Sequence, residues 1–145
     1  MRKKIEKFND AWTVWTPTVL SLLRVMAALL VLQHGMAKNI GFPHNPRYDG
    51  LQWFSLIWFA GFLELVFGSL LAVGLFTRLA AFVLSGEMAF AYFISHAPRA
   101  FLPIVNAGNL AVLYCFVFFY LAFAGPGPWS LDAMIKKSAW RNRRP

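Results

Sequence analysis

The chain is poor in the residues on which most soluble chemistry depends. Its 145 residues include one cysteine, three histidines and six acidic side chains, and only 14% are charged. A lone cysteine excludes a disulfide scaffold. An average soluble domain is about 25% charged, so this balance excludes a disordered chain and a soluble enzyme domain. No phosphate-cradling glycine loop, Ser-His-Asp arrangement or nucleotide fingerprint is present in the sequence. What is abundant is apolar: 59% hydrophobic residues, 17% aromatic, and a mean hydropathy of +0.54. The net charge of +8 arises from 14 Lys and Arg. On so apolar a chain that excess reads as a topology signal, and nucleic acid is not an expected partner.

A membrane-crossing helix needs about 20 mainly apolar residues. Four segments meet this, at about 18–37, 53–76, 78–95 and 104–124. Thr16-Pro17 offers a cap and a first-turn proline for the first, and Gly125-Pro126-Gly127-Pro128 stops the last. The expectation is an all-α, single integral membrane domain over 1–145: an antiparallel, up-down-up-down four-helix transmembrane bundle. The two-residue link Thr77-Arg78 makes spans two and three antiparallel neighbours. The loop 39–52 holds Pro43, Pro46 and Gly50 and is long enough to fold over the bundle mouth. Arg24 inside the first span, and only a weak small-residue match at Gly35 and Ala37, argue against a cleaved signal peptide.

Ten of the fourteen basic residues fall on one side, in the tails 1–16 and 129–145 and at Arg78. Both tails are therefore expected in the cytoplasm, with His34, His44 and His96 at the outer end. Ile5, Phe8, Trp12 and Trp15 recur at helical spacing among lysines. Leu131, Met134 and Ile135 do the same after Ser130, an N-cap candidate. Both tails read as short interfacial helices on the lipid surface.

Charges at membrane depth are costly and usually face the protein interior. Here they are Arg24, Glu64 and Glu87, the candidate catalytic residues. Counted at about 1.5 Å per residue, their heights agree within about 6 Å, on three helices. An Arg–Glu pair with a second Glu beside it is the expected outcome. Two readings stand side by side: a structural ion pair that fixes helix register, and a proton relay within a quinone or small-molecule site. The candidate cofactor-contacting residues are His34, Lys38, His96 and Asn109. Haem and metal are not expected, because no further His, Cys or carboxylate stands at ligand spacing. Cys115 has no partner for thiol exchange and reads as a small buried apolar residue.

Several short pieces recur in a fixed order. Arg24 is followed by His34-Gly35-Met36-Ala37-Lys38 and by Glu64 four residues before Gly68. Gly74-Leu75-Phe76-Thr77-Arg78-Leu79-Ala80-Ala81, Gly86-Glu87-Met88-Ala89, Ala91-Tyr92-Phe93 and His96-Ala97-Pro98 come next. Gly125-Pro126-Gly127-Pro128-Trp129-Ser130-Leu131-Asp132 closes the series. In this order the chain, from about Leu23 to Asp132, resembles the DoxX family of small bacterial inner-membrane proteins with four spans. One departure is Asn109, where many relatives carry an acid.

The resemblance implies a multi-pass location in the bacterial inner membrane and redox physiology. The family's namesake resembles a subunit of a thiosulfate:quinone oxidoreductase, and other relatives are linked to oxidative-stress complexes or to quinone and catechol detoxification. The leading expectation is a component of a quinone-linked membrane oxidoreductase or oxidative-stress complex, drawing electrons from a redox partner subunit. The alternatives are a non-catalytic accessory subunit of a larger electron-transfer complex, a homo-oligomer, and a small-molecule transporter. The last ranks lowest, because helices filled with Phe and Leu leave little room for a pore.

Overall fold

The computed structural model describes residues 10–141, and its regular structure there is helical. Helix α1 spans Thr16–Asn39, α2 Leu56–Val73 and α3 Thr77–Ala91. A π-helical turn, Tyr92–His96, extends α3. Helices α4 (Pro103–Asn106), α5 (Asn109–Ala124) and α6 (Leu131–Arg141) follow. A single 3-10 turn, Pro46–Tyr48, interrupts the loop after α1.

The sequence cues act where expected at most helix ends. Pro17 sits in the first turn of α1. The Ser55 hydroxyl accepts from the Trp58 N–H at 3.3 Å and caps α2. Gly74, at φ +72°, closes α2 in the left-handed conformation, with the Leu75 N–H donating to the Leu70 carbonyl at 2.9 Å. The Ser130 hydroxyl accepts from the Ala133 N–H at 3.1 Å and starts α6. Of the N-terminal stripe, Ile5 and Phe8 lie outside the described residues, while Trp12 and Trp15 are exposed.

The expected fourth span does not form as one helix. Among the described residues three helices, not four, are long and apolar enough to cross a membrane: α1, α2 and α3 with its π turn. The segment 104–124 is broken at Ala107, whose φ of +58° is left-handed, so α5 keeps 16 residues. That is a rod of about 24 Å against a hydrocarbon core of about 30 Å. The break is held by Asn106, which is buried. Its amide donates to the Ala100 carbonyl at 2.6 Å and accepts from the Gly108 N–H at 2.7 Å. A side chain that satisfies the backbone in this way competes with the helix for the same groups. The result is an all-α fold of three long apolar helices with shorter helices added.

Helix α1 packs along α2, and α3 along α5. Glycines let α1 and α2 touch backbone to backbone. A Cβ on Gly35 would fall 2.7 Å from the Leu65 nitrogen, and one on Gly61 would fall 1.9 Å from the Asn39 Oδ1. The core between the helices is small and apolar, built on Ala27, Ala28, Val31, Leu71, Ala80, Ala81, Leu84, Phe118 and Leu121. Apart from Phe118 and Tyr92, most of the large aromatic side chains point outward: Phe82, Phe90, Phe116 and Phe123 are each at least 60% exposed. That is the inversion expected where the solvent is lipid, since helix association there relies on close packing of small residues.

Candidate functional site

The buried charges fall into two separate groups, one toward each end of the helices. The first surrounds Arg24, which is wholly buried. Its Nε donates to the Pro126 carbonyl at 2.9 Å and one terminal nitrogen to the Ala72 carbonyl at 2.8 Å. The Leu71 and Trp129 carbonyls complete the set. Leu71 and Ala72 carry last-turn carbonyls of α2, where a cation is favoured, and Pro126 and Trp129 belong to a turn rich in proline; the Leu71 carbonyl also accepts from the Gly74 N–H at 3.2 Å. The Asp132 carboxylate stands nearby and caps α3, accepting from the Phe76 and Thr77 N–H groups at 3.0 and 2.9 Å. Burial pushes the Asp132 carboxyl up, but the hydrogen bonds from Thr77 and Phe76 and the Arg24 charge outweigh it and hold it below its ordinary value. The Trp129 N–H donates to the Ser21 hydroxyl at 3.2 Å. The segment 126–132 therefore ties the start of α1 to the α2–α3 turn.

Arg24 thus does not pair with the membrane glutamates as the sequence suggested. Its long side chain leans toward the N-terminus of its own helix, as helical side chains do, and so reaches the tail end. The same rule brings Lys38 and Glu64 together. Lys38, in the last turn of α1, leans back into the bundle. Glu64, on the antiparallel α2, leans toward it. The Lys38 ammonium lies 2.7 Å from both carboxylate oxygens of Glu64. Glu87 of α3 is buried and faces both groups, and neither of its carboxylate oxygens has a hydrogen-bond partner.

These three side chains stand in a cavity of about 440 Å³, and His34 and His96 also line it. Its volume is that of a small-molecule site. The walls are apolar, from Ile57, Phe59 and Leu63 on α2, Phe90 and Ile94 after Glu87, and Leu110 on α5. Phe59, Phe90, Ile94 and Leu110 are exposed, so the rim opens on the surface that meets lipid. The His96 Nδ1 lies 3.0 Å from the Asn106 carbonyl. A carbonyl accepts only, so Nδ1 carries a proton and donates to it.

Five of the seven candidate residues therefore meet in one cavity: His34, Lys38, Glu64, Glu87 and His96. Arg24 is tied to carbonyls elsewhere, and Asn109 is exposed at the start of α5 and outside the cavity lining. Sequence reasoning missed Arg47, Tyr48 and Tyr114, which also line the cavity. The length of the proline-rich loop was the one signal for Arg47 and Tyr48. Asn106 stood out in the sequence only as a polar residue inside the fourth segment; it is buried, and its carbonyl meets His96 of the cavity at 3.0 Å.

Chemically, the arrangement pairs apolar walls with two buried carboxylates and the one ammonium that grips Glu64, while the Arg47 guanidinium in the lining is exposed. Two ionised carboxylates against one lysine leave a negative charge in an apolar place, which a single proton neutralises. The group can hold one proton beside the aromatic and aliphatic walls.

A relative from Haemophilus influenzae, described as an uncharacterized protein, is 42% identical over 122 residues, covering 81% of this chain and 91% of its own length. No solved structure matches. The DoxX family profile matches residues 19–97, which run from the start of α1 through the π turn. That stretch holds Arg24, Lys38, Glu64, Glu87 and His96, and a match over more than half its length establishes that the chain belongs to the DoxX family.

Proposed function

We propose that this multi-pass membrane protein is the quinone-binding component of a membrane oxidoreductase or oxidative-stress complex. The carrying observation is the convergence of His34, Lys38, Glu64, Glu87 and His96 on a single cavity of about 440 Å³ with apolar walls. A quinone supplies two-electron, two-proton redox chemistry, and a partner redox subunit supplies or takes the electrons. The chain's own part is to seat the ring, exclude water from it and move protons at the Glu64 and Glu87 carboxylates. Lys38 holds Glu64 in place and balances its charge. The exposed apolar rim supports entry from the bilayer, where isoprenoid quinones dissolve. We place the basic end, with α6 and Arg78, in the cytoplasm and the loop 40–55 outside, on the distribution of Lys and Arg.

The test is binding of ubiquinone and menaquinone analogues to the full chain in lipid nanodiscs. Saturable binding that Glu87→Gln and Glu64→Gln each weaken supports the reading. Absence of saturable binding at analogue concentrations that saturate known quinone proteins removes it.

A further inference from the structure

A buried carboxylate pair exchanges protons only with those surfaces to which polar groups connect it. We propose that the Glu64–Glu87 pair exchanges protons with the loop end of the molecule alone, residues 40–55, with Lys38 as the intermediate group. This deepens the reading of the same site and rests on the pair handling protons.

Two observations carry the inference from opposite ends. At the loop end lies a second cavity of about 250 Å³, lined by polar groups including Asn39, His44, Asn45 and Asp49. Lys38 and Tyr48 line this cavity and the first one as well. The Lys38 ammonium grips Glu64 at 2.7 Å and lies 6.0 Å from the centre of the Tyr48 ring. One triply donating group therefore stands between the polar vestibule and the carboxylates: the ammonium gives a proton to the carboxylate, and the amine left behind takes one back from the vestibule.

Toward the tail end there is no comparable path among the described residues. The residues below the pair are the buried Ala27, Ala28, Val31, Leu71, Leu84 and Phe118. Space lined by such groups stays dry, because water needs two or more polar partners to enter. The Ser85 hydroxyl in this layer is already given to the Cys115 carbonyl at 2.8 Å. Beyond it, Arg24 is committed to four carbonyls and closes the helix ends with a fixed positive charge. A proton approaching from there meets an apolar layer behind a cation. The charged and titratable groups that share the cavity with Glu87 are Glu64 of α2, Lys38 and His34 of α1, Arg47 and Tyr48 of the loop, His96 after α3, and Tyr114 of α5. None of them belongs to the tail end.

The experiment uses sealed membrane vesicles holding the full chain, right-side-out and inverted. Protease access to a C-terminal tag reports which end of the chain faces the bath. A water-soluble, membrane-impermeant carbodiimide, which couples to a carboxyl through its protonated form, is added outside, and the Glu64 and Glu87 peptides are read by mass spectrometry. The expected result is modification at Glu87 faster by an order of magnitude or more when the loop end faces the reagent. Equal rates, faster modification from the tail end, or none from either end overturns the proposal.

The role of Lys38 is tested by removing the ion pair as a unit, Lys38→Met with Glu64→Gln, so that no charge is stranded. Deuterium exchange at the Glu87 carboxyl, followed by infrared spectroscopy, is expected to slow by an order of magnitude or more, and unchanged exchange overturns Lys38 as the intermediate. Both arms use vesicles reconstituted from quinone-free lipid, so a failure of quinone binding leaves both results standing.

Discussion

Replacing Arg24 by methionine tests whether the tail-end lock holds the fold together. Methionine is unbranched and fills much of the space left by the arginine stem, so the loss is chiefly one of hydrogen bonds. Four hydrogen bonds from Arg24 are lost, to the carbonyls of Leu71, Ala72, Pro126 and Trp129, of which Leu71 keeps the Gly74 N–H as a second donor. Polar contacts between membrane helices average about 0.6 kcal/mol by double-mutant cycles, so four give about 2.4 kcal/mol. At about 1 kcal/mol per bond, the figure for soluble proteins, the loss is about 4 kcal/mol. For chains of this size a change of about 1 kcal/mol moves Tm by about 2–8 °C, so a fall of at least about 5 °C is expected.

Cys115, the lone thiol, is partly buried in α5 and serves as the reporter. A dye that fluoresces on thiol reaction follows its exposure as the protein is heated in detergent. Arg24→Lys is expected to fall between wild type and Arg24→Met, because a lysine keeps the charge but loses the planar fork. Below the midpoint of the methionine variant, affinity for a quinone analogue should be unchanged, since Arg24 does not line the cavity. A midpoint equal to that of the wild type, or a loss of affinity without a loss of stability, would refute this account.

Three further outcomes follow from the same geometry. Lys38→Met alone strands the buried Glu64 and should destabilise by about 3 kcal/mol, whereas adding Glu64→Leu should recover most of that; a double variant as unstable as the single would show that the pair is not the cause. Gly61→Ala places a Cβ 1.9 Å from the Asn39 Oδ1 and 2.7 Å from the Lys38 Cβ. It should cost about 1–3 kcal/mol by overpacking and weaken analogue binding by displacing Lys38, and wild-type values in both measurements would count against the close approach. For Asp132 the sign follows from linkage: its folded-state pKa lies below the ordinary 3.8, so its contribution is complete above that pH and is lost as the pH falls through the folded value. The midpoint difference between wild type and Asp132→Asn should be present at neutral pH and close in that acid window, and a difference that persists at all pH values would disprove the role of the charge.

The long helices were legible because length and hydropathy decide a membrane span almost alone. Helices α1, α2 and α3 lie within a few residues of the expected bounds. The segment 104–124 shows the limit of that argument. Its composition passes as a span, but two hydrogen bonds of one asparagine side chain decide its conformation. The depth of Arg24 was legible and its partner was not. Height counted at the Cα ignores the lean of a long side chain toward its own N-terminus, and that lean sends Arg24 to the carbonyls and brings Lys38 to Glu64. Lys38 was read as a loop-end charge with a ligand role, and its bond to Glu64 depends on the crossing of α1 and α2 at Gly35 and Gly61. The histidines and glutamates of the cavity were recognisable as ionisable groups out of place.

The lock at the tail end also has a timetable. Arg24 donates to the carbonyls of Pro126 and Trp129, which lie 102 and 105 residues further along the chain. At about 5–20 residues per second, a ribosome reaches them roughly 5–20 s after Arg24 is made. For that interval a buried-to-be cation resides in or beside the bilayer with its stem in the apolar layer and its head at the interface. The first charge placed at membrane depth is satisfied by a segment 102 residues further on, so the tail end closes only after α5 has been made.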